Sequence, residues 1–323
     1  MKNFAGKLAV ISGGGSGIGR ELAEQLAGEG CHLALCDLFP EPMAETADRC
    51  RQANREVTVS THLCDVSDEV SVVAFRDDLL EAHETGHVNL VFANAGIGGG
   101  GSFIEDDRED WERTFAVCWY GVYYMGRTFL PLLIAADEGH LINTSSVNGF
   151  WASLGPGVAH TAYCAAKFAV KGFSEALITD LRLHAPHVKV SVVMPGHIGT
   201  NIAINSGKVL GKPDPMEMTG PEVAKLREQL IKRGKPVGNL PDDAIRGAIK
   251  QRGEDFRDKA PTTAAEAAAI ILDGVREERW RILVGEDAHV LDDRVRATPE
   301  EAYEEAFTQR LHADRHLNFT ADR

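Results

Sequence analysis

Tyr163 and Lys167 stand four residues apart in a stretch, His160 to His184, whose apolar spacing predicts a helix, so both side chains share one face. A free tyrosine titrates near ~10, too high for a base at neutral pH. A cation about 4–6 Å away favours the phenolate. Lowering the pKa by about three units takes about 4 kcal/mol, which one charge at about 4 Å supplies at an effective dielectric near 20. The pair is therefore a candidate for proton exchange with a hydroxyl. The plainer alternative is an amphipathic helix with one buried phenol and one exposed amine. Upstream, the strand-like run His140 to Thr144 delivers Ser145 and Ser146 at its carboxyl end, the edge at which open parallel sheets bind ligands.

A second set lies in Lys7 to Leu22, KLAVISGGGSGIGREL. Leu8 to Ile11 is too short for a helix and reads as a buried strand. Gly13, Gly14, Gly15, Gly17 and Gly19 follow, then Ile18, Leu22 and Leu26 at helical spacing. Strand, glycine turn and helix together set the positive end of a helix against a phosphate, with glycines letting the backbone come close. A strict G-x-G-x-x-G is absent. Ser12-Gly13-x-x-x-Gly17-Ile18-Gly19 is a wider-spaced relative of the dinucleotide fingerprint, and a flexible loop is the alternative. The next strand, Cys31 to Cys36, ends at Asp37, about twenty residues past the turn, where a carboxylate accepts hydrogen bonds from an adenosine ribose. Capping the following helix is its other reading. This carboxylate would repel a 2′-phosphate, and no Arg or Lys stands inside the turn or just after Asp37. NAD is favoured over NADP.

Positioning these residues takes further strands at Val57–Leu63, Val88–Ala93, Val188–Met194 and Arg281–Val284. Helical patterns separate them: Glu41–Ala53, a long helix capped by Ser67, another over Trp111–Leu133 with termination at Pro131, and Thr263–Val275. The alternation predicts an α/β fold, a doubly wound parallel sheet of the Rossmann type with about seven strands and right-handed crossovers. No repeat or linker divides it, so residues 1–323 read as a single domain. Residues 201–261 hold six prolines, many glycines and short helical pieces. Inserted after the sixth strand, they read as a lid over a substrate or as a peripheral ornament. Residues 298–323 read as a C-terminal helical extension that frays after Leu311.

A content of 44% hydrophobic and 25% charged residues suits a soluble globular chain with ample core. The net charge of −14 argues against nucleic acid and anionic membrane as partners. No apolar run approaches the ~18 residues of a membrane span, and a first strand by Leu8 leaves no room for a signal peptide. The six cysteines form no C-x-x-C and no metal spacing. They read as reduced core thiols of a cytoplasmic protein without a metal site.

In order, Ser12-Gly13-x3-Gly17-Ile18-Gly19, Asp65, Asn94-Ala95-Gly96, Ser146, Tyr163-x3-Lys167 and Pro195-Gly196-x3-Thr200 make the chain, from about Phe4 to Gly285, resemble the short-chain dehydrogenase/reductase family. The resemblance implies hydride transfer between NAD(H) and a secondary alcohol or ketone. In it Tyr163 exchanges the proton, Ser146 hydrogen-bonds the substrate oxygen, and Lys167 tunes Tyr163 and holds the nicotinamide ribose. It also implies a cofactor lining of Gly13, Gly15, Ser16, Gly17, Ile18, Gly19, Asp37, Asp65, Val66, Asn94, Ala95, Gly96, Pro195, Gly196, Ile198 and Thr200, with Asp65 at the adenine and Thr200 at the carboxamide. Ser146 is preferred to Ser145 because Val147-x-Gly149 follows it. The size of the lid implies a bulky, apolar substrate, and the two long helices imply a homodimer or homotetramer.

Two departures from the family stand out. The gap from Ser146 to Tyr163 is about four residues longer than usual, which implies a bulge over Gly149–Ala159 beside the substrate. Cys118, seven residues after Trp111, replaces an asparagine whose amide helps hold a water near the lysine. A thiol is a weak hydrogen-bonding group, so the proton relay is altered, unless the backbone carbonyl serves and Cys118 simply fills space. The expected protein is a working or slowed enzyme. A catalytically impaired NAD-binding sensor or scaffold is the alternative, and an NADP-dependent reductase the milder one.

Overall fold

The computed structural model describes residues 1–313 except Pro156 and Arg233. From the N-terminus run β1 (Leu8–Ser12), α1 (Gly17–Gly28), β2 (His32–Asp37), α2 (Pro40–Ala53), β3 (Val59–Leu63), α3 (Glu69–Ala82), β4 (Leu90–Ala93), α4 (Arg108–Phe115) and α5 (Gly121–Ala135). The second half adds β5 (Gly139–Thr144), α6 (Thr161–His184), β6 (Val188–Pro195), β7 (Ile198–Gly199), α7 (Ile202–Val209), α8 (Gly220–Lys232), α9 (Asp242–Asp258), β8 (Thr262–Thr263), α10 (Ala264–Arg276), β9 (Arg281–Val284), α11 (Glu286–Ala297) and α12 (Glu305–Ala313). Every residue of β1 and β4 is buried, which fits strands covered on both faces. The seven-stranded sheet is parallel throughout, in the order β3-β2-β1-β4-β5-β6-β9.

Two apolar layers clamp the sheet. Leu22, Leu26, Met43, Ile271 and Leu272 bring α1, α2 and α10 onto one face. On the other, Phe75, Val122, Phe129, Val170 and Leu177 bring in α3, α5 and α6. The strand order reverses direction between β1 and β4, and a doubly wound sheet opens its ligand crevice at that point. Ser12 ties the two strand ends together. Its hydroxyl donates to the Phe92 carbonyl (3.3 Å) and accepts the Asn94 and Ala95 N–H groups (3.0 and 3.1 Å).

Several local expectations change. Asp68, not Ser67, caps α3 by accepting the Val70 N–H at 3.1 Å, because the Ser67 hydroxyl is drawn to the Asp65 carboxylate (2.7 Å). The helix expected over Trp111–Leu133 is interrupted by a π-helical turn at Ala116–Tyr120 that contains Cys118, and the Gly121 N–H reaches five residues back to Ala116. Pro131 lies inside α5 rather than ending it. The burial of Met125, Phe129 and Leu133 offsets the single backbone bond that proline removes. Among its described residues the region 201–261 holds three α-helices and a 3₁₀ turn at Pro215–Glu217, and β7 pairs in parallel with β8 across its neck. The extension begins with a 3₁₀ turn at Pro299–Glu301 and α12. The expected fraying beyond Leu311 falls mainly on 314–323, outside the described residues. Among the described residues no helix is long and apolar enough to cross a membrane.

Candidate active site

A cleft open to solvent runs along the carboxyl ends of β1, β2, β4, β5 and β6. Gly13, Ser16, Gly17, Ile18, Asp37, Asp65, Val66, Asn94, Ala95, Gly96, Ser146, Tyr163, Lys167, Pro195, Gly196, Ile198 and Thr200 all line it. Sequence positions almost two hundred residues apart thus meet because parallel strands deliver their carboxyl ends to one edge.

Three expected residues do not line the cleft. The Gly15 N–H turns to Asp37 Oδ2 at 2.9 Å. Gly19 packs under the turn, where an added Cβ would overlap the Gly13 carbonyl. Cys118 sits behind the wall, its thiol donating to the Ile97 carbonyl at 3.2 Å. Gly96 separates it from the lysine: a Cβ on Gly96 would lie 3.5 Å from Lys167 Nζ and 3.9 Å from Cys118 Sγ.

At the glycine end, Gly13 and Gly17 have φ of +69° and +53°, values that a side chain resists. A Cβ on Gly13 would also press on the Ala95 backbone at 3.0 Å. The N-cap Ser16 makes no side-chain cap, and α1 has no acidic residue in its first turn. Its leading N–H groups therefore remain for an anion from the cleft, aided by the helix dipole. Asp37 is not the N-cap of α2, which is Phe39. Its second oxygen accepts the Phe39 N–H at 3.2 Å. The polar groups of this end fit a dinucleotide: helix N–H groups to donate to phosphate and a carboxylate one strand away to accept from ribose hydroxyls.

Arg20, just past the turn, faces away from the cleft. Its guanidinium donates to Gly15 O (2.8 Å), Pro42 O (3.2 Å), Thr46 Oγ1 (3.0 Å) and Glu45 (3.1 Å). The carboxylate of Asp65 is also spoken for, by Arg113 at 2.7 Å and by the Ser67 N–H and O–H. Burial works to raise the Asp65 carboxyl, but Arg113 and Ser67 outweigh it and hold it below the usual range.

At the other end, Lys167 is 2% exposed and its ammonium donates to the Thr144 carbonyl at 2.8 Å. Burial pulls its pKa down, against the effect of Cys118. Its Nζ lies 5.4 Å from the centre of the Tyr163 ring. The phenol is not depressed as the spacing suggested. Burial raises it, Cys118 adds to the rise, and a hydrogen bond with Ser146 only partly opposes them. Desolvation of the phenolate exceeds the pull of a cation at that distance. Ser145 and Ser146 both line the cleft but differ in their hydroxyls: that of Ser145 donates to the Lys167 carbonyl (2.7 Å), whereas that of Ser146 is hydrogen-bonded with Tyr163.

The region 201–261 contributes Asn201, Ile202, Asn205, Val209 and Phe256 to the lining. The α7 helix bridges both walls, with Asn205 Nδ2 donating to Ser16 Oγ (3.4 Å) and Ser206 Oγ accepting the Gly98 N–H (2.8 Å). His197 holds the region from below. Its ring is hydrogen-bonded to the Phe256 carbonyl at 2.7 Å, and its N–H donates to Asp287 at 2.6 Å.

A family model described as short chain dehydrogenase matches residues 7–209. The chain belongs to the short-chain dehydrogenase family. It is 41% identical over 206 residues to the putative oxidoreductase SadH of Mycobacterium tuberculosis, covering 64% of this chain and 72% of that one. To the human epidermal retinol dehydrogenase 2 it is 34% identical over 234 residues, 71% and 72% of the two chains. A short-chain dehydrogenase/reductase from Burkholderia phymatum, solved in complex with NAD, superposes with a TM-score of 0.73 at 31% identity over 93% of this chain and 95% of that one. A metagenomic short-chain oxidoreductase in complex with NADP gives 0.52 at 31% identity, over 60% and 83%.

This short-chain dehydrogenase is thus an oxidoreductase whose motif residues converge on one crevice. Sequence reading missed its connectors: Ser12, Arg20, Arg113, His197 and the α7 pair Asn205 and Ser206. Ser12 stood inside the glycine motif and was legible there. The others act across long sequence distances and leave no periodic signal. All six cysteines are free and buried, and among the described residues no cluster could hold a metal ion.

Proposed function

We propose that the protein is an NAD-dependent dehydrogenase acting on secondary alcohols or their ketones, with Tyr163 as acid/base. The observation that carries this is the meeting of the Ser146, Tyr163 and Lys167 side chains at one end of a cleft whose other end has dinucleotide donors. A bound NAD would supply the hydride acceptor. The backbone at Gly13, Ser16 and Ile18 would hold its pyrophosphate, Asp37 its ribose, and Lys167 its second ribose. Asn94 Nδ2 donates to Ser12 O at 3.1 Å and keeps the glycine turn in register with β4. Tyr163 then takes the proton from the substrate oxygen, which the Ser146 hydroxyl orients.

Asp37 supports NAD over NADP. A 2′-phosphate would meet a carboxylate there, and Arg20, the nearby cation, has its Nε and Nη2 donors engaged by Thr46, Gly15, Pro42 and Glu45. The walls favour an apolar substrate: Ile97 and Val117 on one side face Ile202, Val209 and Phe256 from the lid. The relative named for retinol is consistent with an alcohol of that kind. Exposed Tyr120, Tyr123 and Phe168 on the two long helices support pairing of this face in a homodimer or homotetramer.

The test is a titration with NADH and NADPH, read by energy transfer from tryptophan to the nicotinamide. The reading expects NADH to bind at least about tenfold tighter, or ~1.4 kcal/mol, and Asp37→Ala to shrink the difference. A preference for NADPH would remove the Asp37 argument. The sensor reading draws on one observation, a Cys118 thiol bonded to the Ile97 carbonyl behind Gly96 and the lysine, and gains if NADH binds well but no alcohol in a broad panel is oxidised.

A further inference from the structure

The loop after Ser146 is held from outside the cleft by the C-terminal segment. Ser146 Oγ accepts the Asn148 N–H at 3.1 Å and so opens a single 3₁₀ turn. The Asn148 amide donates to the carbonyls of Trp151 and Ser153, both at 2.9 Å, which closes the loop on itself. Trp151 is 2% exposed although it lies in a loop. Its indole N–H donates to the Ala302 carbonyl at 2.7 Å, its ring lies 6.1 Å from that of Phe307, and the next N–H, of Ala152, donates to the Tyr303 hydroxyl at 3.2 Å. Phe307 and Leu311 of α12 are buried in the same small apolar cluster as Val147 and Trp151, apart from the two layers that flank the sheet.

An indole N–H satisfied by a carbonyl 151 residues away in the chain is a directional contact that generic packing does not require. We propose that residues 299–311 position Ser146 through Trp151 and Asn148, making this segment a determinant of substrate selection at the Ser146–Tyr163 end of the cleft. Trp151 and Asn148 are positioning residues: they act through Ser146 and touch no reacting atom. The selection half of the proposal rests on the dehydrogenase reading; the mechanical half does not.

The experiment compares the full-length protein with Trp151→Phe/Tyr303→Phe, which keeps an aromatic side chain at both positions, a smaller one at 151, and removes the two long-range hydrogen bonds. Tyr303→Phe alone, which keeps the ring and removes only the hydroxyl, is measured beside it. Amide hydrogen exchange over 147–153, NADH affinity by calorimetry, and kcat/KM for an oxidised alcohol are measured. The proposal expects exchange over 147–153 to quicken about tenfold and kcat/KM to fall about tenfold, with NADH affinity within about twofold. Unchanged exchange overturns it. So does faster exchange with unchanged kcat/KM, and so does a matching loss of NADH affinity, which would show general loosening. If the wild-type protein oxidises no alcohol, the dehydrogenase reading and the selection role fail together, while the exchange still decides whether the segment holds the loop.

Discussion

Tyr163 and Lys167 show how burial outweighs a nearby charge at the level of single residues. Removal from water raises the phenol and lowers the ammonium, so both neutral forms are favoured. Alcohol oxidation must place a proton on the phenolate, and a raised phenol loses its own proton only at alkaline pH. We therefore expect kcat/KM for oxidation to keep rising above neutrality, with ketone reduction falling over the same range. A profile flat from neutral to alkaline pH would contradict this. Gly13 offers a second test, since its φ of +69° and the 3.0 Å approach to Ala95 leave no room for a methyl group. Gly13→Ala should cost about 1–2 kcal/mol of stability in urea unfolding and weaken NADH binding; a fully stable, NADH-binding variant would sink the account of the turn. The motif residues were legible because their chemistry demands a residue type. What the sequence hid was the state of those groups: Asp65 engaged with Arg113, and a phenol raised rather than lowered, both set by neighbours distant in the chain.

Among the elements, strands with continuous apolar runs were legible, since burial on both faces leaves little freedom in composition. The π-turn at Cys118 was not, because a widened turn has the same apolar pattern as the helix around it. The α11 helix was missed for another reason. Its first turn is anchored by Asp287, whose carboxylate accepts the His197 N–H, and its short charged sequence carries little periodicity. The region 201–261 was legible only as a change of texture. Its placement over the cleft depends on α7, held by Ser16 and Gly98. An Asn205→Ala/Ser206→Ala variant loses these two bonds, each worth about 1 kcal/mol. Stopped-flow release of NADH should then quicken by about tenfold. An unchanged release rate would mean that α7 does not gate the cleft.

For the whole molecule, acid sensitivity follows from buried imidazoles. Burial pulls His140 down to about 3 and His160 down to about 4, against ~6.5 in an unfolded chain. Between those values the unfolded state binds more protons, so stability falls as pH drops below ~6.5 and goes on falling toward the folded values. For His140, buried and hydrogen-bonded to Ser191 at 2.7 Å, the loss is on the order of 4 kcal/mol by about pH 3.5. Asp65, held low by Arg113, acts later, its contribution disappearing only as pH falls through its depressed folded value. Urea unfolding from pH 7 to 4 should show the decline, and His140→Gln should flatten it; equal slopes in the two proteins would contradict the assignment. Static light scattering tests the proposed pairing of the long helices, which expects a dimer or tetramer and is refuted by a monomer at micromolar concentration.

The most direct test of the central claim is NADH formation from NAD over a panel of apolar secondary alcohols, for the wild type and Tyr163→Phe side by side. The account predicts turnover by the wild type and a fall of about 10²–10⁴-fold in the variant, with NADH binding retained. Equal turnover by the two proteins would contradict it, as would a wild type that binds NADH and oxidises none of the alcohols.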